Sequence, residues 1–272
     1  MENVGIYTCA NDAMLPFLRV WLAAMKRHEP AKAIAIIPFD DQSEATEAFA
    51  REHAIPVLPE AAKQWRAIGR ALYGNKMYRK GTPAAHYFSK LASFSGPFDE
   101  FIFMDANAIL CTPFLDIFDR FQRSGLDIAF RFRASPGRNI ATLKECGRLN
   151  KLNPNIQNGF NANFFISKRG VILPNDASNI DDAEGAFGKA PEQSLLTRIL
   201  AEKGLAVDTI HQVMRYPIGA SCRELLLTQG ENVVFPSRAP VMFVKWNGAK
   251  IDESMPNYEI FQHIVKYLPK FD

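Results

Sequence analysis

The stretch Phe101-Ile102-Phe103-Met104-Asp105-Ala106-Asn107 decides how this 272-residue chain reads. Phe98 to Met104 is the most hydrophobic of the predicted strands, rich in aromatic side chains and too short for a helix. It halts abruptly at Asp105, which places a carboxylate at the carboxyl end of a buried strand. In open α/β sheets, ligands bind outside those ends. Asp105 and Asn107 stand at i and i+2, and an extended turn points both the same way. Two such oxygen ligands can hold a divalent cation against a diphosphate. The same Asp105 also suits a plain turn cap before a helix opening at Pro113.

Working outward, Val4 to Cys9 reads as a buried strand, and Asn11 or Asp12 caps a helix carrying Leu15, Leu18, Leu22 and Met25 to about His28. Ala33 to Pro38 is a second strand. Ser43 starts a helix to about His53, and Ile55 to Leu58 is a third short strand. This alternation predicts βαβ units and a parallel sheet with right-handed crossovers. Glu60 to Leu91 reads helical, broken near Gly74 and Gly81-Thr82-Pro83. After the central strand come a helix from Pro113 to about Phe121, a strand from Leu126 to Phe130, and a polar surface excursion from Arg133 to Gln157. Asn161 to Ser167 and Val241 to Trp246 are further strands. Pro191 to Lys203 is a helix stopped by Gly204, and a last helix runs from about Pro256 to Tyr267. No internal repeat or low-complexity linker divides the chain, so a single domain is expected.

Composition narrows the class. Hydrophobic residues make up 47% of the chain, enough for a large core, and the formal net charge of +3 argues against a nucleic-acid binder. The basic run Arg131-Phe132-Arg133 reads as a solvated strand end. Cys9, Cys111, Cys146 and Cys222 form no Cys-x-x-Cys pair and no zinc spacing, and read as reduced, mostly buried thiols. With no signal-peptide pattern, no Asn-x-Ser/Thr acceptor and no apolar run of transmembrane length, the expected localisation is cytoplasmic.

Five segments in order resemble the GT-A nucleotide-diphospho-sugar glycosyltransferases, especially the glycogenin-like and galactosyltransferase-like enzymes of family 8. Asp105-Ala106-Asn107 stands where their Asp-x-Asp motif stands. Ser89-Lys90-Leu91-Ala92-Ser93-Phe94 is similar to their lysine-bearing helix, and Asn158 to Ile166 to the strand lining their sugar site. Pro191-Glu192-Gln193-Ser194-Leu195-Leu196 resembles their Asp-Gln-x-x-Leu segment, and Lys245 to Lys250 their late His-x-x-Gly-x-x-Lys motif. The opening Gly5 to Asp12 and the segment Phe164 to Gly170 are similar to uncharacterised bacterial, cyanobacterial-type sugar-transferase-like proteins.

The resemblance implies a GT-A fold: an α/β domain with a mixed, mostly parallel central sheet flanked by helices. Its nucleotide-binding half would span about 1–110 and its acceptor half about 111–250. It implies an enzyme transferring a sugar from a nucleotide-diphosphate donor, UDP by family default, to a glycan, protein or small-molecule acceptor. Thr8, Ala10 and Asn11 would contact the nucleotide, and Lys90 the donor sugar or diphosphate. Asp105 and Asn107 would face a Mn²⁺ or Mg²⁺ ion and the diphosphate. Asn161, Ala162, Glu192 and Gln193 would serve the sugar, with Glu192 nearest the reacting carbon. Gly248 would admit the phosphates and Lys250 would neutralise them.

Two departures fall on the implied metal set. Asn107 replaces the second carboxylate, and Lys245 replaces the late histidine. An amide brings no charge, and a protonated lysine cannot ligate. The chemistry left open is direct neutralisation of the diphosphate by Lys245 and Lys250, or a degenerate site that binds a nucleotide or sugar without transfer. Rival classes lack their signatures. No glycine-rich turn follows the first strand, Asn75 stands where a P-loop needs lysine, and Gly-x-Ser-x-Gly and His-Glu-x-x-His are missing. A nucleotidyltransferase would carry a glycine- and lysine-rich loop after its first strand. A non-catalytic carbohydrate-binding protein would use Trp65 and Tyr78 as exposed platforms.

Overall fold

A computed structural model describes residues 3–78, 81–131, 143–156, 159–178, 180, 190–214, 219–247 and 250–269. The chain opens with β1 (Val4–Ala10), a 3-10 turn (Asp12–Met14), α1 (Leu15–His28) and β2 (Ala33–Pro38). Asn11 caps the turn, its side-chain oxygen accepting from the Met14 amide at 3.2 Å. Then follow α2 (Glu44–Glu52), α3 (Pro59–Tyr73) and a long 3-10 segment (Ala84–Ser95). The central strand β3 (Glu100–Met104) leads through residues 105–107 into β4 (Ala108–Leu110). Next come α4 (Ile117–Ser124), β5 (Ile128–Phe130), α5 (Leu143–Leu152), β6 (Phe164–Lys168), α6 (Pro174–Ser178) and α7 (Pro191–Glu202). The last third holds β7 (Val207–Thr209), α8 (Ile210–Met214), β8 (Gly219–Ser221), β9 (Leu227–Gln229), β10 (Asn232–Val234), β11 (Phe243–Lys245) and α9 (Tyr258–Lys266).

Six strands form the main sheet in the order β2-β1-β3-β6-β5-β7. β1 pairs in parallel with β2 and β3, and β5 in parallel with β7, while β6 runs antiparallel to both β3 and β5. The sheet is mixed as well as helix-flanked. Strand side chains alternate between faces. Ile102 and Met104 therefore pack with Ile6, Ile36 and Phe164 on one face, beside α1 residues such as Leu18 and Trp21. Phe101 and Phe103 pack with Tyr7, Ile37 and Phe165 on the other, beneath α3 and the 3-10 segment. A small second sheet, β4-β11-β8, continues from the end of β3.

Several elements depart from the sequence reading. Ile55 to Leu58 makes only a single parallel bridge, Val57 to Ile36, because Pro56 has no N–H and Pro59 already starts α3. The predicted helix from Glu60 to Leu91 ends at Tyr73, where Gly74 turns the backbone to φ +56°, and resumes as the tighter 3-10 segment. Pro113 does not open a helix, since α4 starts at Ile117 and residues 108–110 are a strand. The excursion after Arg133 contains α5. Trp65 is fully buried and Tyr78 half-buried against the same core, so neither is an exposed platform. All four cysteines are free; Cys111, Cys146 and Cys222 are buried and Cys9 is half-buried. Among the described residues no helix is long and apolar enough to cross a membrane.

Candidate active site

Asp105 continues the parity of Phe101 and Phe103, so it faces the side of the sheet covered by the 3-10 segment. That segment repeats every three residues, which stacks Phe88, Leu91 and Phe94 into the core. Lys90, beside Leu91, is only 7% exposed. Its Nζ lies 3.4 Å from Asp105 Oδ1, 3.8 Å from Glu192 Oε1 and 3.3 Å from the Ala162 carbonyl, and 5.4 Å from the centroid of the Phe103 ring. The Lys245 ammonium, 4% exposed, bonds to Asp105 Oδ2. One carboxylate thus receives two buried lysines, from the 3-10 segment and from β11.

The electrostatics are uneven. Burial would push the Asp105 carboxyl up, but Lys245 and Lys90 hold it below the usual carboxylate range. Burial would lower the Lys90 ammonium, yet Asp105 and Glu192 raise it above the usual lysine value. Lys245 ends below that value, because burial and the charges of Lys90 and Arg131 outweigh Asp105. Cys9 lies near this group, and burial pushes its thiol far up, so it stays neutral.

Asn107 fastens the turn after β3 to the late strand β11. Its side-chain Nδ2 donates to the Trp246 carbonyl at 2.9 Å, and its backbone carbonyl accepts from the Trp246 amide at 2.9 Å. These two bonds tie the turn after β3 to the residue following Lys245. They hold the ammonium at the carboxylate.

The Asp105 amide donates to the Asn163 carbonyl at 3.1 Å, and the Asn163 amide donates to Asn161 Oδ1 at 3.1 Å. Asn161 is half-buried and Ala162 fully buried, and Ala162 contributes its carbonyl. Gln193 donates to Glu192 Oε1 at 3.1 Å. Buried oxygens of Thr8, Asn107, Asn163, Glu192 and Gln193 have no hydrogen-bond partner. Of these, Glu192 and Gln193 lie beside the Lys90–Asp105 pair, while Thr8 shares the opposite face of β1 with Ile6 and Ala10. At the end of β1, Ala10 is fully buried, and Asn11 donates to Asp40 at 2.7 Å. Lys250 is exposed, and Gly248 lies outside the described residues.

The sequence reading missed two contributors. Arg66, 2% exposed, donates to the Pro38 carbonyl, to Ser89 and to Asp41, fixing the loop after β2 beside Asn11 and Asp40. Arg131 is the second. It is not a solvated strand end but half-buried, donating to the Gly219 carbonyl at 2.6 Å and lying over Phe243. Its one legible signal was its place directly after β5, at a strand's carboxyl end like Asp105. A cavity of about 40 Å³ lined by Arg27, His28, Cys111 and Tyr267 involves none of these residues.

The donor set does not fit a divalent cation. Both Asp105 oxygens already face ammonium groups, Asn107 offers only a neutral amide oxygen, and a lysine holds the histidine's position. Among the described residues no three His, Cys, Asp or Glu side chains gather to supply another set.

No protein-family model matches the chain, and no curated protein matches it in sequence. Solved structures match it in fold. The galactosyltransferase LgtC, in complex with donor and acceptor sugar analogs, superposes with a TM-score of 0.56 over 98% of this chain and 97% of its own, at 12% identity. The chain has the GT-A fold. An active-site mutant of LgtC gives a TM-score of 0.51 at 13% identity over the same shares. The bifunctional glycosyltransferase WbbM, in its apo form, gives 0.53 at 11% identity over 98% of this chain and 50% of its own. At such identities the likeness is one of architecture. Within this GT-A sheet, Asp105 follows the third strand of the order, and the two lysines meet it from opposite ends of the sequence.

Proposed function

We propose that the chain is a glycosyltransferase, a single GT-A unit that moves a sugar from a nucleotide-diphosphate donor to a glycan, protein or small-molecule acceptor. UDP is the base that the resemblance implies. The observation that carries the reading is the convergence of Lys90, Lys245 and Asp105 at the carboxyl end of β3, with Glu192 and Gln193 alongside. In transfer, the bond from the sugar's anomeric carbon to the diphosphate oxygen breaks, and a bond to an acceptor hydroxyl oxygen forms. The electron pair of the broken bond stays with the departing diphosphate, on which negative charge grows, and the hydroxyl proton passes to that diphosphate or to solvent. Fixed cations in a buried site stabilise that charge without reorganisation. Lys245 and Lys90 are such cations, with Lys250 beyond the turn as a third candidate. Asp105 holds both ammonium groups in place until the diphosphate shares them. Glu192 and Gln193 accept from sugar hydroxyls through their unpartnered oxygens.

The test is a thermal-shift panel of UDP, GDP, CDP and their sugars, followed by donor turnover with and without EDTA. A ligand of the folded state raises the melting temperature. Binding and turnover that persist in EDTA support the reading, and turnover abolished by the chelator defeats its metal-independent form. A second reading, a binding protein without transfer, draws on the full engagement of Asp105 by two lysines. Nucleotide-sugar binding with neither hydrolysis nor transfer at high protein concentration would favour it.

A further inference from the structure

Arg131 follows β5, and its backbone amide extends the sheet by donating to the Phe164 carbonyl at 3.0 Å. Its guanidinium then leaves the main sheet for the small one. One Nη donates to the Gly219 carbonyl, and the group lies 5.0 Å from the centroid of the Phe243 ring. Phe243 and Lys245 are two apart on β11, and Gly219 and Ser221 are their register partners on β8. Side chains two apart share a face of a strand, so Arg131 sits one pleat from the Lys245 ammonium, on the same face.

Three cations now stand together: Lys90, Lys245 and Arg131. Among the described residues Asp105 and Glu192 are buried carboxylates facing the two lysines, and Glu224, at the surface, adds a solvent-screened charge near Arg131. Cations grouped at the carboxyl end of a central strand suit a dianionic ligand, whose oxygens they can meet together. Arginine suits such a ligand, because its planar fork spans two phosphate oxygens at once. We propose that Arg131 joins Lys245 and Lys90 in a binding site for a diphosphate that needs no divalent cation. This deepens the glycosyltransferase reading by naming the group that meets the leaving diphosphate, and it rests on that reading for the identity of the natural ligand.

The experiment is calorimetric titration of the full chain with inorganic pyrophosphate, and separately with UDP, in EDTA buffer. The variants are Arg131→Gln, Arg131→Met, which keeps an apolar stem on Phe243, Arg131→Lys as the conservative rescue, and the exposed helix change Lys151→Gln as control. Pyrophosphate should bind the unaltered chain without metal. The Gln and Met variants should bind at least about tenfold more weakly, Lys should recover part of the loss, and the control should bind unchanged. UDP binding much more tightly than pyrophosphate would assign the site to a nucleotide's diphosphate rather than the free anion. Pyrophosphate binding only when Mn²⁺ is added would overturn the proposal. So would full-strength binding by either folded variant lacking the charge. Donor turnover separates the two ideas. Transfer without metal-free pyrophosphate binding would sink this inference and leave the function standing. Pyrophosphate binding without any turnover would do the reverse.

Discussion

Replacing Asp105 with Asn should destabilise the protein far more than replacing Lys245 with Met, although the two side chains are bonded to each other. At 3.4 Å from Lys90 Nζ, the carboxylate contributes about 5 kcal/mol of gross attraction at an effective dielectric near 20. Desolvation offsets part of that, and Asp105 keeps 23% of its side-chain surface in water, so the net loss in Asp105→Asn is about 2–4 kcal/mol. Two buried ammonium groups are then left facing a neutral amide. For a chain of 272 residues that loss lowers Tm by roughly 4–7 °C. Lys245→Met removes the ammonium that its surroundings already disfavour and leaves Asp105 paired with Lys90. Its cost should be about 0–1 kcal/mol, since an apolar isostere of a buried ion is often neutral. In the double variant Lys90 keeps Glu192 at 3.8 Å and loses its nearest repelling charge, so part of the Asp105→Asn loss returns. Urea unfolding at neutral pH and low salt measures all three, provided the m-values agree. Equal losses in the two single variants, or a neutral Asp105→Asn, would refute the claim that this carboxylate holds the lysines together.

Three further outcomes follow from the structure. Asn107→Asp combined with Lys245→His replaces an amide and an ammonium by a carboxylate and an imidazole beside Asp105. The double variant should gain a Tm rise with Mn²⁺ that the unaltered chain lacks, and no such gain would count against the reading of Lys245 as the cation's stand-in. Burial, helped by Arg27, pushes the His28 imidazole down to about 4. The unfolded chain therefore binds this proton more readily, and stability falls as pH drops from about 6.5 towards 4. The loss should be on the order of 1 kcal/mol after solvent screening, and smaller in His28→Gln when unfolding is compared at pH 7.5 and 4.5. A methyl group on Gly5 would strike the Phe98 ring, which is buried against β1. Gly5→Ala should cost about 1–3 kcal/mol in denaturant unfolding, and a neutral result would mean that the ring is free to move.

The long elements were legible because each repeats its period often enough to be seen. Seven residues of β1 and fourteen of α1 carry unmistakable apolar patterns, and Ala33–Pro38 is bounded by the turn residues on either side. Three-residue strands such as β7, β8, β9 and β10 have no room for a period, and went unread. The antiparallel direction of β6 depends on how the chain returns to the sheet, which local pattern does not encode. In the site, Asp105 announced itself by ending a hydrophobic run, and Lys90 and Glu192 by resemblance. That Lys245 would bond to Asp105 itself, and that Asn107 would fasten to Trp246, depends on packing between distant segments. Arg131 stayed hidden because a basic residue after a strand looks the same whether it meets water or a neighbouring sheet.

The Asp105–Lys245 bond joins positions 140 apart in the chain. During synthesis the carboxylate and the first lysine emerge long before the second, and β11 must add to the small sheet before the triad exists. A nascent chain halted before residue 240 would carry the whole six-stranded sheet but lack Lys245, the late member of the proposed anion site. If that site binds a diphosphate as proposed, ligand affinity is also a gauge of complete folding. A chain clipped late by a protease would betray itself by losing its ligand, even while its spectroscopic helix content stayed close to that of the intact molecule.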